Sequence, residues 1–259
     1  MRARSVAAVV GLAVALLAAD TASAQEPSAD EEFSPFVVEV ETGPAWQTRN
    51  DVQIPNDPSG TRFSLRDVTG SGPWPAGRLY LTWRLGESHA LRGLVAPLQF
   101  TESGRLPESV DFAGSSYAPD VPTDATYRFN SYRLSYLYRF HHGRSWTWNV
   151  GFTAKMRDAV VRLEQGGTTS EKTDLGFVPL LHVSGEWRFA PRWHAELDAD
   201  ALAGGPGRAE DVTLQAGYDL SDRWTLSAGY RTVEGGADVD SVYAFAWLHY
   251  GVVSLEYRF

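Results

Sequence analysis

The strongest constraint on this chain is a two-residue alternation of apolar and polar side chains that returns again and again from about residue 36 onward. Between Trp146 and Arg157 one parity reads Trp146, Trp148, Val150, Phe152, Ala154 and Met156; the other reads Thr147, Asn149, Gly151, Thr153, Lys155 and Arg157. Successive side chains of a strand point to opposite faces, so the run spells one apolar face and one polar face. Val212, Leu214, Ala216 and Tyr218 repeat the pattern, as do Trp224, Leu226, Ala228 and Tyr230.

Ten strands follow from this reading, at roughly 36–47, 73–85, 89–101, 125–140, 145–164, 173–189, 192–203, 208–220, 223–234 and 239–259. Their connectors alternate in kind. Gly86-Glu87-Ser88, His141–Arg144, Ala190-Pro191 and Ser221-Asp222 are short, whereas 48–72, 102–124, 165–172, 204–207 and 235–238 are longer or glycine-rich. The stretch 61–68 reads either as an extra strand or as loop. The third strand is awkward, because Arg92 and Pro97 suit neither parity.

The aromatic residues decide between a soluble and a membrane sheet. There are nine Trp, eleven Tyr and twelve Phe in a chain of slightly negative mean hydropathy. They gather at strand ends beside the short turns: Tyr138, Phe140, Trp146, Trp187, Phe189, Trp193, Trp224, Tyr257 and Phe259. A ring that is apolar in body and wet at its tip belongs at a membrane–water boundary. The expected fold is therefore all-β, an antiparallel transmembrane β-barrel of about ten strands, with eight and twelve the neighbouring counts. Short periplasmic turns and longer extracellular loops, with an even strand count, place both termini in the periplasm.

Met-Arg-Ala-Arg, the apolar run 6–19 and Ala22-Ser23-Ala24 form the pattern of a secretory signal peptide, with cleavage expected between Ala24 and Gln25. The run is short of the roughly 20 residues of a spanning helix. The expected organisation is a signal peptide at 1–24, a periplasmic tail at 25–35 and the barrel at 36–259. Loss of Arg2, Arg4 and Asp20 takes the net charge from −9 to −10, which argues against a nucleic-acid partner. Without cysteine there is neither a disulfide framework nor a thiolate metal site.

The closing Leu255-Glu256-Tyr257-Arg258-Phe259 resembles the last strand of outer-membrane β-barrel proteins, and Tyr218–Trp224 is similar to the strand–turn–Trp unit of small OmpA-like barrels. The resemblance implies a Gram-negative outer membrane. It implies lipid and lipopolysaccharide as surroundings, and the barrel-assembly machinery as a folding partner that reads Leu255, Tyr257 and Phe259.

If the aromatic parity faces lipid, the other lines the lumen. It carries Arg78, Arg84, Arg133, Arg139, Lys155, Arg157, Glu186, Asp198, Asp200, Arg231 and Glu256. About eight strands enclose a lumen filled by side chains, and ten leave little more. A filled ion-pair network and a narrow channel are the two readings of such a tube.

Catalysis has one candidate. Pairing across Ala190-Pro191 by residue numbers that sum to about 380 sets Ser184 opposite Glu196 and His182 opposite Asp198, the residue types of a base-activated nucleophile. His182-Val183-Ser184 with Glu196 also resembles PagL-type lipid A deacylases, which implies a lipid-modifying hydrolase. Gly185 stands where that family has Asn, and the group lies on the polar parity. Omptin proteases, which this ten-strand pattern also resembles, carry histidine with acidic residues at the extracellular rim; here Glu164, Glu234, Asp238 and Asp240 have no histidine beside them. His141-His142 falls in a short turn, so neither a metal nor a cofactor is expected. The acidic loop 102–124 reads as a solubilising or cation-recruiting surface.

One test follows from the chain end. Phe259→Ala is expected to lower the amount of protein reaching the folded, heat-modifiable form in cells severalfold, as read by gel shift. Equal amounts would remove the assembly role of that residue.

Overall fold

A computed structural model describes residues 34–259; the signal-peptide reading and most of the 25–35 tail fall outside the described residues. The strands are β1 (Phe36–Gln53), β2 (Phe63–Ser64), β3 (Trp74–Arg84), β4 (His89–Ala96), β5 (Gln99–Arg105), β6 (Val110–Phe112), β7 (Ser115–Tyr117), β8 (Pro122–His142), β9 (Trp146–Gln165), β10 (Thr168–Ala190), β11 (Trp193–Gly204), β12 (Gly207–Asp219), β13 (Trp224–Val239) and β14 (Val242–Arg258). One helical turn, α1 (Arg66–Thr69), follows β2.

Sequential antiparallel pairing runs from β8 to β14. The ring continues through β4, β3 and β1 and closes where β1 pairs with β14, from Val37↔Arg258 to Gln53↔Tyr243. With β5 as the continuation of β4 beside β8, ten strands make the wall. Pro97 explains the break between β4 and β5. Proline has no N–H for the ladder, and the side chain of Asn130 accepts the next amide, Leu98 N, at 3.1 Å. Arg92 turns inward and pairs with Asp198 across the lumen at 2.7 Å.

The outer wall is apolar. Phe152, Leu214, Leu134 and Leu181 are each more than half exposed, although they are large hydrophobic side chains. In water such a wall would be an aggregation surface; in lipid it is the expected one. Aromatic pairs ring the end where β1 begins and β14 finishes: Phe36–Trp83, Trp146–Trp187, Trp193–Tyr218 and Trp224–Tyr257. Phe259 N donates to Phe36 O at 3.0 Å and joins the first and last strands at this rim. Closed wall, apolar band and aromatic belt together define a transmembrane β-barrel.

The loop end departs from expectation. The predicted loop at 165–172 is only the turn Gly166-Gly167, and β9 and β10 run on past it as a hairpin. The segments 54–73 and 106–121 fold into the barrel mouth instead of standing in solvent. Phe63, Leu65 and Val68 from the first, with Leu106, Phe112 and Tyr117 from the second, pack on inward-facing wall residues such as Val161, Leu163, Leu248 and Val252. The two segments also bond to each other, Thr61 N to Asp111 O at 2.9 Å and Ala113 N to Ile54 O at 2.8 Å. Tyr117 donates its hydroxyl to Leu163 O at 3.1 Å. At Gly104 a Cβ would lie 2.4 Å from Val68 O, so only glycine lets α1 sit this close to β5. The inner wall is therefore polar in its terminal half and apolar in its loop half.

Removing a buried phenylalanine leaves a cavity and typically costs about 3–5 kcal/mol. Phe112→Ala is accordingly expected to lower unfolding stability in detergent by about that much. Phe152→Ala on the lipid face is expected to cost less than half of it. Equal losses, measured by denaturant titration, would place the core elsewhere.

Candidate functional site

Below the apolar plug the inward side chains of eight strands form a buried charge cluster centred on Asp211 of β12. Arg231 Nη1 donates to Asp211 Oδ1 at 2.7 Å, Arg78 Nη1 donates to Oδ2 at 3.1 Å, and Arg133 Nη2 also donates to Oδ2. Arg231 reaches Glu41 of β1 through Nε at 3.1 Å and Nη2 at 2.8 Å, a bidentate pair, and donates to Tyr80 OH at 2.8 Å. Arg133 Nη1 donates to Asp200 at 2.8 Å, and the other Asp200 oxygen accepts from Thr153 at 2.7 Å and lies 3.0 Å from His182 Nδ1. The Lys155 ammonium sits 5.0 Å from the Phe129 ring centroid. Charges removed from water persist when paired and hydrogen-bonded on every side. The carboxylates and guanidinium groups of this cluster meet that condition by crossing the lumen from wall to wall, while His182 Nε2 is buried without a hydrogen-bond partner.

A second group lies nearer the terminal end. Arg188 pairs with Glu186 at 2.6 Å and with Asp219 at 2.8 Å, and Arg258 pairs with Glu256 at 2.8 Å. His194 is fully buried, with Nε2 2.9 Å from Glu196 Oε1. A Cβ at residue 217 would collide with its ring, so Gly217 is what admits this imidazole. Among the described residues two groups bring histidine and carboxylate atoms within 4.8 Å of one another: His182 with Asp198 and Asp200, and His194 with Glu186 and Glu196. Arg92 and Arg133 already neutralise the first pair of aspartates, and Arg188 engages Glu186.

The structure brings together Arg78, Arg133, Lys155, Asp200 and Arg231 in the upper cluster, and Glu186 and Glu256 in the lower group. Arg157 leaves both and pairs with Asp174 toward the loop end. Leu255 and Tyr257 lie on the outer wall of β14, Tyr257 against Trp224. The pairing across Ala190-Pro191 needs correction. The strands lie two residues away from the expected register, so Ser184 faces Asp198, His182 faces Asp200, and Glu196 faces Glu186. Ser184 Oγ accepts from Asn149 at 3.2 Å, while the His182 ring is turned to Asp200. Glu41 falls on the lumen parity as the alternation implies, whereas Asp211, near the head of its strand, was missed. Asp211 shares its parity with Thr213 and Gln215, and that parity was its only signal.

No protein-family model matches the chain, and no curated protein does. Among solved structures, the outer membrane protease OmpT from Escherichia coli aligns at 11% identity over 89% of this chain and 100% of that one, with a TM-score of 0.49. The translocator domain of the autotransporter NalP from Neisseria meningitidis aligns at 13% over 98% and 96%, at 0.47. Ail, the attachment invasion locus protein of Yersinia pestis, aligns at 10% over 86% and 99%, at 0.39. The chain is an outer-membrane β-barrel by class, since closed antiparallel barrels with this belted apolar wall are the form that spans that membrane.

Taking one partner from a buried ion cluster leaves a charge uncompensated and costs about 3–5 kcal/mol. Asp211→Asn, which takes one carboxylate partner from each of three guanidinium groups, is expected to lose about that much in detergent unfolding titrations. Adding Arg78→Met is expected to recover part of the loss. A change below 1 kcal/mol on the single substitution, well under the typical ~3 kcal/mol, would show that the cluster is not held by Asp211.

Proposed function

We propose that this protein is a sealed structural barrel of a Gram-negative outer membrane, inserted with both termini in the periplasm and the loop end outside, and that its lumen is not a conduit. The observation that carries the reading is the double closure of the lumen. The apolar plug fills the loop half, and the Asp211 cluster spans the half below it. Between them lies a cavity of about 10 Å³ lined by Arg78, Leu98, Phe129, Arg133 and Tyr250. That is room for about one water. A continuous channel would need both layers to part at once, breaking buried ion pairs and exposing Phe63 and Phe112 together. The work of such a barrel is done on its outer wall and its exposed loops, where a rigid scaffold presents side chains.

Purified protein, with folding verified by its heat-dependent gel shift, is expected to give no discrete conductance steps in planar bilayers. Reproducible steps, altered by Lys155→Met, would replace the sealed reading with that of a narrow channel. Orientation has its own check. A single cysteine introduced at Ser115 is expected to react with a membrane-impermeant maleimide on intact cells, and protection there would invert the insertion.

A further inference from the structure

On the lipid-facing wall, near the loop end, three polar side chains from three neighbouring strands make a hydrogen-bonded chain. Thr48 Oγ1 lies 2.7 Å from His249 Nε2, and the Tyr230 hydroxyl bonds His249 Nδ1 on the other side of the ring. The strands explain how they meet. β14 puts Trp247, His249, Val253 and Leu255 on the outer face, and β13 puts Tyr230 beside it. In β1 the pairing with β14 shifts between Gln47 and Arg49, and Thr48 is the extra residue. A bulge re-aims a side chain without ending the strand, and bulges gather beside active sites. Here it turns a hydroxyl onto the imidazole of the next strand.

The level of this group in the wall matters. From Tyr257, in the lower aromatic belt, to Trp247 is ten residues; at about 3.4 Å each and a tilt of about 40° that is roughly 26 Å, close to the ~25 Å apolar band of such barrels. Trp46, Trp247 and Tyr230 flank the histidine, with ring centroids 6.0, 5.3 and 6.0 Å away. They form the upper belt, where lipid acyl chains meet headgroups. An ionisable side chain facing lipid is costly and by default marks a function.

The geometry points to an acyl-ester hydrolase site on this outer wall, with Thr48 as nucleophile, His249 as general base, Tyr230 as the residue that orients the imidazole, and outer-leaflet lipid esters as the substrate class. With Nδ1–H donated to the Tyr230 oxygen, Nε2 is the acceptor that faces Thr48. That is the arrangement of nucleophile, base and orienting group used in covalent acyl transfer. The accessibilities agree, since Thr48 is exposed while His249 is only 8% exposed. Arg66 Nη1 donates to the Thr48 carbonyl at 2.7 Å and holds the bulged backbone in place.

The chemistry balances with water as the only co-reactant. His249 Nε2 takes the Thr48 proton as Oγ1 bonds to the ester carbonyl carbon. The alcohol oxygen leaves with that proton, and the acyl group stays on Thr48. Water then attacks the acyl carbon and yields its proton to His249. The bond to Oγ1 breaks, the fatty acid departs, and the proton returns to Thr48. The cleft above the site, about 150 Å³, is lined by Arg49, Arg208, Tyr243 and Phe245 and has room for the polar end of such a lipid.

This inference takes from the previous reading only that the loop end faces outward; the chemistry is independent of it. The test is fatty-acid release, by mass spectrometry, from mixed micelles of detergent, phosphatidylglycerol and purified lipid A with the full-length folded protein. Wild type is expected to release fatty acid above a protein-free control, and His249→Ala and Thr48→Val to lower the rate by about 10²-fold or more, the usual span for losing a general base. Thr48→Ser is expected to keep activity, and Thr101→Val, on β5 two strands away from β1, to leave it unchanged. No release by wild type overturns the inference, as does full release by either of the first two variants with a normal heat shift. Release in micelles but none from the lipids of intact cells would leave the site standing and refute the orientation instead.

Discussion

Every backbone amide in the apolar band must find a partner inside the protein, because hydrocarbon offers none. The pairing of β1 with β14, maintained from Val37↔Arg258 to Gln53↔Tyr243, meets that requirement for the two strands that would otherwise be edges. Once the ring is closed, each strand has one face toward lipid and one toward a narrow interior, and the rest of the molecule is a response to that division. Even the flaw at Pro97 is repaired locally, by an asparagine side chain standing in for a missing backbone partner.

The interior solves its packing problem twice, with opposite chemistry. In the loop half the wall is apolar, so an apolar insert of two chain segments fills it and buries aromatic and aliphatic surface worth roughly 1.5–3 kcal/mol per large side chain. In the terminal half the wall is charged, and the charges meet across the lumen. Asp211 alone bonds three guanidinium groups, and Glu41 holds Arg231 with both oxygens. Neither layer has spare room. A barrel filled in this way places its chemistry outside, and the lipid-facing imidazole between Thr48 and Tyr230 is the polar group there that packing alone does not require.

How much of this could be read in advance depends on range. Trp146–Met156 declared its face because period two is a property of neighbouring residues, and the same holds for Trp224–Tyr230 and for the rim aromatics beside each short turn. The ten strand positions follow from those runs and the turns between them. The candidate site was legible only as residue types. Lys155, Arg133 and Arg231 could be placed in the lumen by parity. That Asp211 would gather Arg78 and Arg133 as well as Arg231 of the next strand could not, because Arg78 and Arg133 lie 133 and 78 residues away on strands that do not pair with β12. Ser184 pairs with Asp198 rather than Glu196, because the register across the Ala190-Pro191 turn is set by the turn's own geometry and not by the parity of the strands.

By itself, then, the sequence determined the alternating strands, their approximate number, the greasy outer wall and the belt of Trp and Tyr at the rim, all of which local periodicity encodes. Only the tertiary structure decided which inward charges meet, that the segments 54–73 and 106–121 fold inward as a plug, and that a bulge at Thr48 delivers a hydroxyl to His249 some two hundred residues away. The physical reason is ring closure. It brings β1 against β14 and faces inward residues to one another across the tube, contacts that no period along the chain can announce.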